Sequence, residues 1–218
     1  SQQSVIWEED LQKLQTPQKS SFSVIKDSDE LLNKLTLPGI VNRRDALQVA
    51  YTLHQLFDTP LSTLIEHMNR FPGVSRRFEQ IIPNLYSDYA HTPPKIRGAL
   101  QVAEETAGNN VVVVYEGLHN TRQHFIKDEL RHLFDNVKQL YIVPSYLARE
   151  DPNLPLLTPD DLRNLLSKDT QNKTVPSQLD KQLKTAIQQH LAAGDLVLCI
   201  TAGGGNSLDE WLRKEFRA

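Results

Sequence analysis

The sequence predicts an α/β protein built on a mostly parallel sheet with helices on both faces. Two observations carry this. From residue 85 onward, short apolar runs alternate with segments of helical periodicity, giving repeated strand–helix–strand units. Parallel neighbours need such crossovers, and the crossover helices cover the sheet. The run Val111–Tyr115 is β-branched over four positions, as a buried strand is.

Residues 1–36 are polar, with apolar pieces at Val5–Trp7 and Phe22–Ile25 that read as edge strands. Leu37-Pro38-Gly39 is a turn. Leu47, Ala50, Leu53, Leu56 and Phe57 then recur at helical spacing. A second helix starts at Thr59-Pro60, carries Leu61, Leu64, Ile65 and Met68, and closes at Phe71-Pro72-Gly73. Two antiparallel helices are expected within residues 43–71. The character changes after Pro83, so a domain boundary is expected near residues 80–85.

Beyond it, Leu85–Tyr89 is a strand, and Thr92-Pro93 caps a helix bearing Ile96, Ala99, Leu100 and Ala103. After Val111–Tyr115 comes a helix with Phe125, Ile126, Leu130, Leu133 and Phe134 on its apolar side. Leu140–Val143 is a strand, and Thr158-Pro159-Asp160-Asp161 opens a short helix. Ser177 with Asp180 resembles a capping box for a helix carrying Leu183, Ile187 and Leu191. Leu196–Thr201 is the last strand, and Ser207 with Glu210 opens the last helix.

Composition narrows the function. The 218 residues carry 24 Lys and Arg against 27 Asp and Glu, a formal charge of −3. A general electrostatic grip on nucleic acid or an anionic membrane is not expected. The longest apolar runs are far too short to span a bilayer. A single cysteine, Cys199, excludes an intrachain disulfide, and seven scattered histidines specify no metal site by spacing. A cytoplasmic protein is expected, and the absence of an initiator methionine suggests a fragment. Nothing in the sequence specifies an oligomeric state.

Three strand-to-helix loops concentrate functional groups where open parallel sheets bind ligands. Asp88-Tyr89-Ala90-His91-Thr92-Pro93 places a carboxylate, a phenol and an imidazole at a helix start, whose free N–H groups favour anions. A plain turn, with Thr92 capping and Asp88 serving the backbone, fits equally. Glu116 to Arg122 follows the second strand, with Arg122 able to hold a carboxylate or phosphate, or simply to lie in solvent. Ala202 to Ser207 contains three glycines but no Walker lysine, and G-x-x-x-x-G-K-[ST] occurs nowhere in the chain. Before the boundary, Ser75-Arg76-Arg77-Phe78-Glu79 offers two arginines for phosphate or for ion pairing. Asn42 and Asp45 suit a capping role at the Leu47 helix. No convincing Ser/His/Asp or Cys/His arrangement is present, so no catalytic nucleophile is assigned.

Taken in order, these segments resemble the Mur ligase family of ATP-dependent amino-acid ligases. The motifs are Pro38-Gly39 through Asn42 and Asp45 to Ala46-Leu47, then Phe71-Pro72-Gly73-Val74-Ser75-Arg76-Arg77-Phe78-Glu79. Asp88-Tyr89-Ala90-His91-Thr92-Pro93, Tyr115 to Arg122, and Gly194-Asp195-Leu196-Val197-Leu198 with Ala202-Gly203 follow. The resemblance implies that residues 1–82 are the C-terminal tail of a central ATPase domain and residues 83–218 a Rossmann-like C-terminal domain. It implies ATP with Mg²⁺ as cofactors, and UDP-N-acetylmuramate and a small amino acid such as L-alanine as substrates. The muramyl carboxylate would be activated as an acyl phosphate and attacked by the amine. Asn42, Asp45, Arg77 and Asp88 would contact ATP, and Tyr89, His91 and Arg122 the amino acid. The family's P-loop and muramyl-nucleotide domain are absent, so this chain alone is expected to be inactive. Val41, Asp45, Gly117 and Leu118 depart from the family's pattern. A ligase that attaches a ready-made peptide, or a non-catalytic module that binds a nucleotide or a partner, fits the same residues.

Overall fold

A computed structural model of the chain describes residues 3–11, 13–14, 21–201 and 204–217. The chain forms two compact units, residues 1–72 and 73–218. In the first, β1 (Gln3–Trp7) and β2 (Ser21–Ile25) pair in parallel, as the two apolar pieces predict strands there. A short helix α1 (Glu8–Leu11) follows β1. Helices α2 (Ile40–Phe57) and α3 (Leu61–Asn69) complete the unit. Trp7, Ile25, Leu32, Leu47, Ala50, Leu64 and Ile65 form its core.

The second unit holds a six-stranded sheet in the order β3-β4-β8-β5-β6-β7. Its strands are β3 (Glu79–Ile82), β4 (Leu85–Asp88), β5 (Val111–Leu118), β6 (Gln139–Tyr146), β7 (Thr174–Pro176) and β8 (Leu196–Ile200). Only β3 runs antiparallel; the other pairings are parallel. Side-chain alternation sorts two cores. Val111, Val113 and Tyr115 face α4 (Pro93–Ala107), α5 (Asn120–Leu130) and α6 (Pro159–Leu165). Val112, Val114, Val197 and Cys199 face α8 (Lys181–Ala192) and α9 (Leu208–Phe216). A one-turn helix α7 (Lys168–Asn172) precedes β7.

The division of the chain falls after Pro72, ten residues before the expected junction at 82/83. The reason is β3. It turns at Pro83-Asn84 to pair with β4, and Glu79 forms ion pairs with Arg213 at 2.7 Å and Arg217 at 2.9 Å. Residues 73–82 therefore belong to the second unit. Two helix details also differ from expectation. Phe125 is 80% exposed, because α5 ends at Leu130 and turns its buried face to Gln123 and Leu130. The cap of α8 is Asp180, whose side chain accepts from the amides of Gln182 and Leu183, whereas the Ser177 hydroxyl donates to the Val175 carbonyl.

Strand order creates the crevice. β5 and β8 are neighbours, yet α5 leaves β5 toward one face and α9 leaves β8 toward the other. Ligands of such sheets bind outside the carboxyl ends at this reversal.

Candidate anion-binding site

The site begins in the turn before β3. Arg76 (φ 59°) and Phe78 (φ 46°) flank Arg77 in the left-handed region, an uncommon and strained choice for bulky residues. Four contacts hold the turn. The Phe78 amide donates to Asp88 Oδ2 at 2.8 Å, and the Arg76 amide to Glu79 Oε2 at 2.8 Å. The Tyr89 amide donates to the Arg76 carbonyl at 2.8 Å, and the Phe78 and Tyr86 rings stack with centroids 4.4 Å apart. Burial raises the Asp88 carboxyl, against the opposing pull of the Phe78 amide and of Arg77. Arg77 is thereby presented beside Tyr89: its Nη1 donates to the Tyr89 carbonyl at 3.3 Å, and its guanidinium lies 5.6 Å from the ring centroid.

His91 sits against the same tyrosine, with ring centroids 4.8 Å apart. Its Nδ1 lies 2.9 Å from the Tyr89 carbonyl, so Nδ1 is the protonated nitrogen and Nε2 carries the lone pair. Burial pushes the imidazole below its ordinary value of 6.5, and the cations of Lys95, Arg122 and Arg77 push it further. The hydrogen bond to the Tyr89 carbonyl pulls the other way, more weakly than burial. The helix start itself offers less than the sequence suggests. Pro93 and Pro94 open α4 and carry no N–H, and Thr92 makes no side-chain cap bond. Only from Lys95 onward does this helix start carry backbone N–H groups.

Arg122 comes from the other side. The segment expected to be a loop from Glu116 is strand through Leu118, and α5 starts at Asn120, making Arg122 its third residue. Arg122 Nη1 is out of water and has no hydrogen-bond partner. Gly117 is required, since a Cβ there would stand 2.5 Å from Ser145 Oγ and 2.8 Å from Gln123 Cδ. Glu150 fixes the start of α5 by accepting from the Thr121 amide at 2.8 Å.

The glycine-rich loop plays another part. Residues 202 and 203 lie outside the described residues. Gly204 abuts the Tyr146 hydroxyl, and the first amide of α9, that of Leu208, donates to the buried Glu116 carboxylate at 2.9 Å. The positive end of α9 is thus occupied from within the chain.

The structure brings Arg77, Tyr89 and His91 into contact, with Asp88 holding the turn before them, and links Arg122 to them only through its charge on His91. Asn42 and Asp45 lie in the first unit, on exposed positions of α2. Neither caps that helix: Gly39 is the cap residue, and Asn42 Nδ2 donates back to the Pro38 carbonyl at 2.7 Å. Sequence reasoning missed Lys95, whose position just inside a Pro-Pro helix start was the available signal. It also missed Glu116, a lone carboxylate inside an apolar strand. A cleft of about 330 Å³ between α4 and α5, lined by Leu100, Val111 and Leu133, opens near the amino-terminal end of β5, away from this cluster.

The second unit is a doubly wound α/β domain with Arg77, His91 and Arg122 in segments that follow the carboxyl ends of its strands or pack beside them. The chain belongs to the Mur ligase family: residues 76–203 match the family model described as Mur ligase, glutamate ligase domain. It is 27% identical over 189 residues to UDP-N-acetylmuramate–L-alanine ligase of Clostridium beijerinckii, covering 84% of this chain and 40% of that protein. The corresponding ligase of Clostridium tetani is 29% identical over 189 residues, covering 84% and 41%. The chain thus spans about two fifths of the length of these relatives. Among solved structures, UDP-N-acetylmuramate-alanine ligase from Thermotoga maritima superposes with a TM-score of 0.57 at 20% identity, over 84% of this chain and 38% of that one. Folylpolyglutamate synthase of Mycobacterium tuberculosis, complexed with ADP, gives 0.53 at 14% identity over 77% and 38%. Both share the fold. No helix among the described residues is long and apolar enough to cross a membrane.

Proposed function

We propose that this chain is the carboxyl-terminal part of a cytoplasmic, ATP-dependent ligase of peptidoglycan-precursor synthesis, joining L-alanine or a related amino acid to UDP-N-acetylmuramate. The observation that carries the reading is the match of residues 76–203 to the family model, a segment in which Arg77 and His91 both contact Tyr89 after β4 and Arg122 stands in the first turn of the helix after β5. On this reading residues 1–72 end the central ATP-binding domain, and residues 73–218 are the domain that receives the amino acid.

ATP supplies the phosphoryl group that converts the muramyl carboxylate into an acyl phosphate, with ADP released. The amine of the amino acid then attacks that carbonyl, and the tetrahedral intermediate collapses as phosphate leaves. Arg77, held between two strained residues and without a carboxylate ion pair among the described residues, fits the phosphate side. Asp88 holds the turn that presents it. Arg122 fits the amino-acid carboxylate, and Tyr89 and the His91 Nε2 lone pair fit the amine, which must be unprotonated to attack. Asn42 and Asp45, on their exposed helix face, are assigned to the adenine side. The described residues gather no group of three or more His, Cys, Asp or Glu side chains able to hold an ion.

The test is phosphate release from ATP by the ligase carrying this region. Release is expected only when UDP-N-acetylmuramate and one particular amino acid are both present. The 218-residue chain alone is expected to release none. Release without a muramyl substrate, or turnover by the isolated chain, contradicts the proposal.

A further inference from the structure

The first turn of α5 is anchored side chain by side chain, with one exception. Asn120 Nδ2 donates to the Pro155 carbonyl at 3.0 Å, and its Oδ1 accepts from the Leu157 amide at 2.8 Å. The Thr121 hydroxyl donates to Glu150 Oε2 at 3.0 Å. The Tyr115 hydroxyl donates to Gln123 Oε1 at 2.7 Å, and Gln123 Nε2 donates to the Leu118 carbonyl at 3.3 Å. Arg122 stands among these anchors with its Nη1 out of water and without a hydrogen-bond partner. The innermost anchor is the Tyr115–Gln123 contact, between two buried side chains. Burial pushes the phenol above its ordinary value, so the hydroxyl stays neutral and able to donate. A primary amide has one accepting oxygen and one donating nitrogen. With the hydroxyl on Oε1, Nε2 turns to the carbonyl of Leu118, the last residue of β5. The reverse orientation would set Oε1 against that carbonyl, acceptor against acceptor. The end of β5 and the start of α5 are therefore joined through the residue next to Arg122.

Resting on the ligase reading above, we propose that Tyr115 and Gln123 are positioning residues for Arg122. By pinning the start of α5 to the end of β5, they set where its guanidinium meets the carboxylate of the acceptor. The unpaired nitrogen is then held ready from within the sheet and does not have to be ordered by the ligand.

The test is steady-state kinetics of the ligase that carries this region, set beside urea melts, with the acceptor amino acid varied and ATP and UDP-N-acetylmuramate saturating. Tyr115→Phe removes only the hydroxyl and is expected to raise the amino-acid KM about three- to tenfold with kcat unchanged. Added to Arg122→Ala, it is expected to raise the KM no further, because its effect runs through that guanidinium. Tyr115→Phe combined with Gln123→Met replaces both partners by apolar groups of similar size. That pair is expected to restore the urea midpoint and not the KM. A KM unmoved by Tyr115→Phe, or one that recovers together with the midpoint, overturns the inference and leaves Arg122 in the site. A further rise in KM on the Arg122→Ala background overturns it as well. If Arg122→Ala by itself leaves the KM unchanged, the amino-acid site of the ligase reading is refuted, and the inference falls with it.

Discussion

Arg76 and Arg77 are adjacent in sequence and have opposite fates. Arg76 Nε lies 3.1 Å from Asp209 Oδ2, in a closed lattice with Arg213, Glu79 and Arg217. Asp209 is 1% exposed and also accepts from the Ser87 hydroxyl at 2.7 Å. Arg77 turns instead to Tyr89, where Asp88 is the carboxylate at hand and its Oδ2 already accepts the Phe78 amide. The difference separates charge that holds the fold together from charge left for a ligand. Ion pairs that are out of water and share hydrogen bonds contribute to stability, and breaking one side leaves a buried charge without its counterion. Cations without such partners lack that contribution.

Breaking the closed side gives the largest effect. Asp209→Asn leaves Arg76 and Arg213 facing a neutral group and is expected to cost about 3 kcal/mol, read as a lowered urea midpoint at unchanged slope. A variant on the open side, Arg122→Ala, is expected to stay within about 0.5 kcal/mol of the native chain. Similar losses from both would erase the distinction.

Acid sharpens the contrast next. The Arg213 guanidinium holds the Glu79 carboxyl well below the carboxylate range, and Arg213 and the Ser87 hydroxyl lower Asp209 against the cost of its burial. A depressed folded-state value means the stabilisation is present above the unfolded value and lost as pH falls. The native midpoint should therefore drop between about pH 5 and pH 2. Asp88 is raised by burial, so its protonation works in the opposite direction. Glu79→Gln should flatten the acid limb of a pH series of urea melts, and an unchanged limb would remove Glu79 from the lattice.

Gly117→Ala tests the floor between the two regions. Its new methyl must displace Ser145 Oγ and Gln123, both side-chain atoms, so a loss of about 1–2 kcal/mol is expected rather than unfolding. A neutral result would show that the strand end yields freely.

Much of the second unit was legible in advance because parallel strands announce themselves locally. Val111–Tyr115 and Leu196–Ile200 are apolar whichever face they present, and Thr158-Pro159-Asp160-Asp161 forms the capping box its residues suggest. β3 was not legible: Glu79-Gln80 is polar, and its pairing depends on arginines more than 130 residues away. β7 spans three residues at the opposite edge of the sheet. The site divides the same way. The aspartate, tyrosine, histidine and arginine types were readable from two loops. Whether a given cation is paired was not, because that depends on which helix crosses it: Arg76 met α9, and Arg77 and Lys95 did not. Glu116 broke the apolar run and so read as the start of a loop, although its partner is an amide at position 208.

The most direct test of the central claim is the amino-acid KM of Arg122→Ala in the ligase that carries this region, set beside its unfolding midpoint. A charged hydrogen bond lost from the bound acceptor predicts a KM raised about 10- to 100-fold, with the midpoint unchanged. An unchanged KM would contradict the account by taking Arg122 out of the site.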